Sequence, residues 1–557
     1  MENSIEITPS QPRQVPREFN VADEPWIPAS TVDGSSVALG LRDVLLRAHE
    51  LRELSGMSPT ELVAVHRLLI AVLTRAVSED ETFSRRAAYG GPLPADLIQA
   101  YLARWDDRLW LFHTERPFMQ VPEFPEDIEE RLLSKDGECR KKPAAKLSLD
   151  YPGANSVTLW RHAYYDAPEA VTAAASLRML LGHLQFTTGA AVRVLGHSDS
   201  AAPLSGAAAV MPVGATLAET LLLNLSTTVE GDLPTWERES PSRKELGGPL
   251  TPYAGLVDRY TRLARSVLLL RENDGSVRKM LYGCGVRPAR DENDLDPFVA
   301  YRVLKSKEKL RRKAVSFEEG RAWWRDLPCL LPDPGGLHSE APASLNRARA
   351  LTDDLGRFDA AIDVLIAGTA ANQSTVLRWR ILRSTVAGRF SHQPEAANLL
   401  RSLVERVEKA EFVFNRAATS AAASTIEFAA KKDARKRAAV MVAGACLRQR
   451  FFQCVEAEFE RVQSALGGGC ELSFASAMLD ASIANALLDG ARQMRSYLGA
   501  SPRSLRAMAK LDNEVRRLRS KFLPAKPKAS KAPRSAKKSA STEAPIELLK
   551  SDSKEAV

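Results

Sequence analysis

Near residue 390 the spacing of apolar residues changes character, and that change divides the chain into two kinds of structure. After Pro394-Glu395, residues Leu399, Leu400, Leu403, Val404 and Val407 fall at helical intervals. Phe452, Val455, Phe459, Val462 and Leu466 then step by three and four until Gly467-Gly468-Gly469. Such steps place side chains on one stripe of a helix, the stripe that a neighbouring helix covers. Helical stretches at 472–498 and 502–521 follow. Helices joined by short links pack antiparallel, so 389–523 is expected to form a C-terminal four-helix bundle. Cys446 and Cys454 lie within this pattern and are expected in its core.

Upstream the pattern is mixed. Runs such as Thr220–Leu225 and Ser266–Leu270 alternate with Gly, Pro and Asp breaks. Ser58-Pro59-Thr60-Glu61 has the form of a capping box with proline at the first helical position. Leu62, Val65, Leu69, Val72 and Leu73 follow at helical spacing. The fold class is therefore α+β: a large irregular N-terminal mixed domain over 19–388, followed by the bundle. Residues 1–18 are polar with three prolines and read as a flexible tail. The segment 524–557 is rich in Lys, Ala, Pro and Ser, with too few apolar residues to fold alone. This basic disordered tail suits solubility, or nonspecific contact with nucleic acid.

The chain has 557 residues and a net charge of +8, which permits nucleic-acid contact without demanding it. Its six cysteines form no CxxC pair, and no apolar run has the length of a signal peptide or membrane span. A cytoplasmic protein without a membrane partner is expected. Eight scattered histidines make no HExxH, and neither GxxxxGK[ST] nor GxSxG occurs. His113 beside Glu115 reads as structural, and the acidic Asp291, Glu292, Asp294 and Asp296 read as a solvated loop. No catalytic residue, metal set or cofactor is expected.

Val364-Leu365-Ile366-Ala367-Gly368 and Thr375-Val376-Leu377-Arg378-Trp379-Arg380-Ile381 read as two strands around a turn, Ala370–Ser374. In the second, Leu377, Trp379 and Ile381 alternate with Val376, Arg378 and Arg380, a period of two. The hairpin tip carries the amide pair Asn372 and Gln373, with arginines behind it. Amides on a stiff projection suit base edges or a disrupted base stack, and arginines suit phosphate. The segment alone is equally consistent with a polar turn. Two basic clusters, Lys305, Lys307, Lys309, Arg311, Arg312 and Lys313, and Lys431, Lys432, Arg435, Lys436 and Arg437, are either solvated faces or contacts to a DNA backbone.

Several segments in sequence order resemble one family. Phe19-Asn20 with Glu24-Pro25-Trp26-Ile27-Pro28, and His113-Thr114-Glu115-Arg116-Pro117-Phe118-Met119-Gln120, resemble its opening and its His-x-x-x-Pro-Phe-x-Gln segment. Pro234-Thr235-Trp236-Glu237, and Gly255–Thr261 with Arg265, resemble two more of its landmarks. The family is CasA, the large subunit of the type I-E CRISPR Cascade complex, and the matches run from about 19 to 520. The resemblance implies a non-catalytic subunit that reads a protospacer-adjacent motif (PAM) in duplex DNA and helps open the duplex. Implied partners are CRISPR RNA, double-stranded target DNA, other Cascade subunits and a helicase–nuclease.

Carried over by position, Asn372 and Gln373 correspond to the family's wedge. The glycine-rich PAM loop corresponds to the region of Gly196, His197 and Ser198, which has one glycine rather than several. No lysine stands at the lysine finger, and Arg287 or Arg290 is the nearest substitute. Arginine suits a narrow minor groove, whose degenerate code implies tolerance for several PAMs. Tyr151, Pro152, Gly153, Ala154 and Asn155 correspond to the loop that anchors the guide-RNA handle. Two other readings remain at this stage: a metal-dependent nuclease, and a structural scaffold of a ribonucleoprotein.

Overall fold

A computed structural model describes residues 17–122, 124, 141–148, 167–189, 192, 194, 200–289, 294–306, 309–372, 375–427 and 430–522, with the backbone alone at 305–306, 309, 371–372 and 375–378. The helix Pro59–Val77 lies at the centre of the mixed region. Its Ser58 side chain accepts from the Glu61 amide and the Glu61 side chain returns to the Ser58 amide, the expected capping box. Every residue of this helix except Glu61 and Arg75 is buried, so the expected stripe has become an all-round contact. Around it pack Trp26, Leu41 and the helix Ala173–Phe186. The run at 220 belongs to a buried helix, Leu217–Asn224, whereas the run at 266 belongs to the strand Arg265–Arg271.

The strands form small sheets. Arg265–Arg271 pairs antiparallel with Val277–Cys284, whose other edge takes Lys142-Pro143. Tyr301–Ser306 and Lys309–Ala314 form a basic hairpin. The sheet that positions the candidate site has Ile362–Asn372 at its centre, between Thr375–Val386 and Ala208–Val213.

This sheet is a wall between two hydrophobic cores. Leu365 and Ala367 of the central strand, with Ala209 and Met211 of its neighbour, face the first core. Val364, Ile366 and Ala370, with Ala208 and Val210, face the second. A strand covered on both faces needs apolar residues at every position, which explains the unbroken run at 364–367. Gly368 completes the run because a Cβ there would lie 2.5 Å from the Ala207 carbonyl oxygen.

The second core continues into the C-terminal helices, Pro394–Ala423, Lys431–Gly444, Leu447–Gly467, Leu472–Leu498 and Pro502–Arg519. Lys431–Gly444 and Leu447–Gly467 are parted at Cys446, whose φ of 52° lies in the left-handed region. Phe451, Phe452, Val455, Phe459, Val462 and Leu466 are buried, as their spacing requires. Trp324, from the mixed region, lies against Phe459 with ring centroids 4.5 Å apart. Cys446 and Cys454 correct the expectation, since both are exposed. Cys454 adjoins Asp489 on the neighbouring helix, and the phenylalanines fill the seam instead.

Candidate nucleic-acid interface

The hairpin Ile362–Val386 matches the expected strand–turn–strand, with a tighter link. Ala370, Ala371 and Asn372 belong to the strand, and Asn372 pairs with Thr375. The expected five-residue turn is thereby corrected: pairing persists because the 370–372 backbone stays extended, leaving 373–374 as the link. Gln373 lies outside the described residues, and for Asn372 the backbone alone is described. A register shift between Ala370 and Ala371 marks a bulge, which bends and twists a strand and so re-aims what lies beyond it. Ala370 also bridges to Phe317, tying this end of the hairpin to the second core.

The outer strand is the sheet's edge. Its Trp379 is 36% exposed and its Ile381 50% exposed. Arg380 turns inward and donates to the Arg321 carbonyl at 3.2 Å. Arg383 forms an ion pair with Glu53. An exposed indole on a rigid strand is a surface on which a base can stack. Alternation showed only which face Trp379 shares; its exposure depends on where the first core ends.

The basic groups differ in how free they are. Arg311, Arg312 and Lys313 are exposed, and Arg312 pairs with Glu340 at 2.7 Å. Lys305 and Lys309 have described backbone only, and Lys307 lies outside the described residues. Lys431, Lys432, Arg435, Lys436 and Arg437 are all exposed on the helix Lys431–Gly444, whose buried seam is Ala434, Ala438 and Val442. Among the described residues none of these five is engaged in an ion pair.

Arg287 is half-buried, with Nη1 donating to the Gly248 carbonyl at 3.1 Å and its own carbonyl accepting from the Thr251 amide at 2.9 Å. Arg290, Gly196, His197 and Ser198 lie outside the described residues, as do Tyr151, Pro152, Gly153, Ala154 and Asn155. The described residues on either side of 195–199 are held by backbone hydrogen bonds. Ala202 N donates to Thr187 O at 2.9 Å, and Cys284 N donates to Val194 O at 2.8 Å.

The landmark residues of the resemblance prove to be architectural. His113 Nδ1 accepts from the amides of Glu115 and Arg116, the structural role expected of it. Gln120 is buried; its Nε2 donates to Leu111 O at 2.7 Å and its Oε1 accepts from Leu269 N at 2.8 Å. Trp236 donates to Tyr101, Tyr101 donates to Glu237, and Glu237 accepts from Arg75. Asp232 caps the helix Leu256–Thr261 by accepting from the amides of Val257 and Asp258.

The acidic stretch also corrects the sequence reading. Asp296 is 4% exposed rather than solvated, and forms an ion pair with the fully buried Arg67. Asp294 pairs with Arg259. The reason is charge compensation: Arg67, in the middle of a buried helix, requires an anion across from it. Asp291 and Glu292 lie outside the described residues. Among the described residues, no three of His, Cys, Asp and Glu converge to hold a metal ion. Nor, among them, is any helix long and apolar enough to cross a membrane.

Residues 20–493 match the family described as CRISPR-associated protein Cse1. The CasA/Cse1 protein of Thermus thermophilus is 38% identical over 371 residues, covering 65% of this chain and 69% of that protein. A solved structure of Thermus thermophilus CasA (Cse1) superposes with a TM-score of 0.74 at 31% identity, covering 91% of this chain and all (100%) of that one. A chain of a CRISPR RNA-guided surveillance complex shares the fold, with a TM-score of 0.68 at 23% identity, over 91% of this chain and 100% of that one. The chain thus belongs to the Cse1 (CasA) family, the large-subunit family of type I-E CRISPR Cascade.

Proposed function

We propose that this chain is the non-catalytic large subunit of a CRISPR RNA-guided DNA surveillance complex. It reads the PAM in double-stranded DNA, wedges the duplex open to begin R-loop formation, and helps recruit a helicase–nuclease. The observation that carries this reading is the hairpin Ile362–Val386. Its central strand is anchored in two cores and runs out to Asn372. A wedge must transmit force without bending, and a strand packed on both faces provides that stiffness.

In this reading Asn372 and Gln373 occupy the space of unstacked bases, at a cost of about a few kcal/mol per step offset by protein contacts and guide pairing. The segment Gly196–Ser198, with Arg287 or Arg290, meets the PAM minor groove. Tyr151–Asn155 meets the guide-RNA handle. Arg311 and Arg312, with Lys305 and Lys307, and the Lys431–Arg437 cluster track the DNA backbone. The mixed region over 19–388 holds the recognition elements and 389–523 the bundle. The test is selection from matched duplexes carrying a randomised PAM, with the chain assembled on its guide-RNA complex. Enrichment of a restricted PAM set supports the reading; uniform recovery of all sequences overturns it.

A further inference from the structure

Four arginines converge on a cavity of about 410 Å³ between the mixed region and the C-terminal helices. Arg302 comes from the strand Tyr301–Ser306, Arg325 from the short turn Trp323–Arg325, and Arg321 from the residues just before that turn. Arg401 comes from the helix Pro394–Ala423, which also brings Glu405 and Glu408 to the lining. A volume of this size is that of a small-molecule site.

The carboxylates nearby do not use up these guanidinium groups. Arg302 and Arg321 share the buried Asp326. Arg321 and Arg325 share Glu408, each at 2.9 Å. Three arginines thus divide two carboxylates. Arg401 is 6% exposed, and carbonyls hold it in place of an ion pair. Its Nη1 donates to Asn398 Oδ1 at 2.9 Å, and its Nη2 to the carbonyls of Leu331 at 2.9 Å and Pro332 at 2.5 Å. Its Nε is buried with no hydrogen-bond partner. The charge of Asp333 reaches Arg401, but Asp333 Oδ2 accepts from the amides of His338 and Ser339 at 2.8 and 3.2 Å. Glu405 is exposed and, among the described residues, forms no ion pair. Burial holds the pKa values of Arg325 and Arg401 below the ordinary arginine value, the mark of charges removed from water without full compensation.

We propose that this cavity is a binding site for a small polyphosphate anion of the pyrophosphate type, bridging Arg302 and Arg325 of the mixed region to Arg401 of the C-terminal helices. Guanidinium groups are planar forks that meet phosphate oxygens in pairs. A diphosphate presents oxygens in several directions, as donors converging from separate elements require. A strand backbone is tracked instead by cations spread along an exposed face, as on the helix Lys431–Gly444. Here Arg325 and Arg401 are buried around one cavity, which suits a compact ligand. The bound anion compensates arginines on both sides of the junction, and so fastens the C-terminal helices to the mixed region. The site does not depend on the function proposed above.

The test is isothermal titration of the full chain with sodium pyrophosphate, in metal-free buffer at constant ionic strength. Saturable binding of one anion per chain is expected, with a rise in the thermal unfolding midpoint. Arg302→Gln should weaken binding about tenfold, the loss of one charge-assisted hydrogen bond. Arg321 keeps Asp326 paired in that variant, so the fold should persist. Glu405→Gln should tighten binding about threefold, because an exposed carboxylate at the lining repels the ligand. Misfolding cannot tighten binding, so this variant separates a site from a structural effect. An unphosphorylated single-stranded oligonucleotide should fail to displace the pyrophosphate. Absence of saturable binding overturns the proposal, as does an affinity that neither substitution changes. Displacement by the oligonucleotide also overturns it, because strand phosphates would then be the occupant.

Discussion

Replacing Lys432 and Lys436 together by glutamine should flatten the salt dependence of DNA binding without changing which sequence is preferred. The two lysines stand one turn apart on the helix Lys431–Gly444, both exposed, and neither is in an ion pair among the described residues. Their helix is held by Ala434, Ala438 and Val442, which the substitutions do not touch. Glutamine has nearly the helix propensity of lysine, so the fold should persist. Each lysine on a phosphate contributes about 0.9 to the slope of log affinity against log salt, so losing both lowers it by about 1.8. Between 50 and 200 mM salt, that difference alone changes the affinity ratio by about 12-fold. The assay is fluorescence anisotropy of a matched duplex with the assembled complex at several salt concentrations. Arg312→Gln supplies the contrast: its charge already faces Glu340, so its removal should alter the slope less. A slope unchanged in the double variant would refute the placement of this helix on the DNA path.

Three predictions concern the scaffold. Asp296→Asn should destabilise the mixed region by about 3–5 kcal/mol, because it leaves Arg67, 0% exposed, without its counter-charge; a urea midpoint close to wild type would show that Gln185, whose Oε1 accepts from Arg67 Nη1 at 2.9 Å, and the Tyr260 and Phe298 rings beside the guanidinium suffice. Trp324→Ala should cost about 3–5 kcal/mol and separate the unfolding of the C-terminal helices from the rest, a second transition visible by calorimetry; a single unshifted transition would show that Trp324 does not join them. His66 and His183 are buried, with pKa values held down to about 4 and about 3 from the ordinary 6.5. Below pH 6.5 the unfolded chain binds protons that the folded chain refuses, so stability is full above that pH and declines beneath it. The decline is about 1.4 kcal/mol per pH unit for each histidine until its folded value is reached. Urea midpoints at pH 7.5 and 5.5 should fall accordingly, and His66→Gln should shallow the fall; a midpoint that rises on acidification contradicts the burial of these rings as neutral groups.

What could be read from the sequence followed the physics of periodicity. The apolar seam at 452–466, the capping box at Ser58 and the strand at 364–368 are repeating or local patterns, and the structure has all three. What escaped was set by partners distant in sequence. Asp296 looked solvated because its neighbours are polar, yet Arg67, 229 residues away, draws it inside. Cys454 fits a helical pattern, yet the seam was already filled by phenylalanines. The turn at 370–374 reads wider in the sequence than it is, because small residues read as loop, whereas pairing continues to Asn372. The resemblance rests on residues such as Gln120 and Trp236, which build the frame.

The wedge is tested most directly by watching the duplex open. A base analogue that brightens on unstacking would be placed in the first pair beside the PAM, with the chain in its assembled guide-RNA complex. Wild type would be compared with the double substitution Asn372→Ala and Gln373→Ala. If the hairpin tip replaces stacked bases, the variant should still bind PAM-bearing duplex but open it about 10- to 100-fold more slowly, the loss expected when about 1.4–2.8 kcal/mol of wedging is removed. Opening at the wild-type rate would contradict the wedge and leave the hairpin as a structural wall alone.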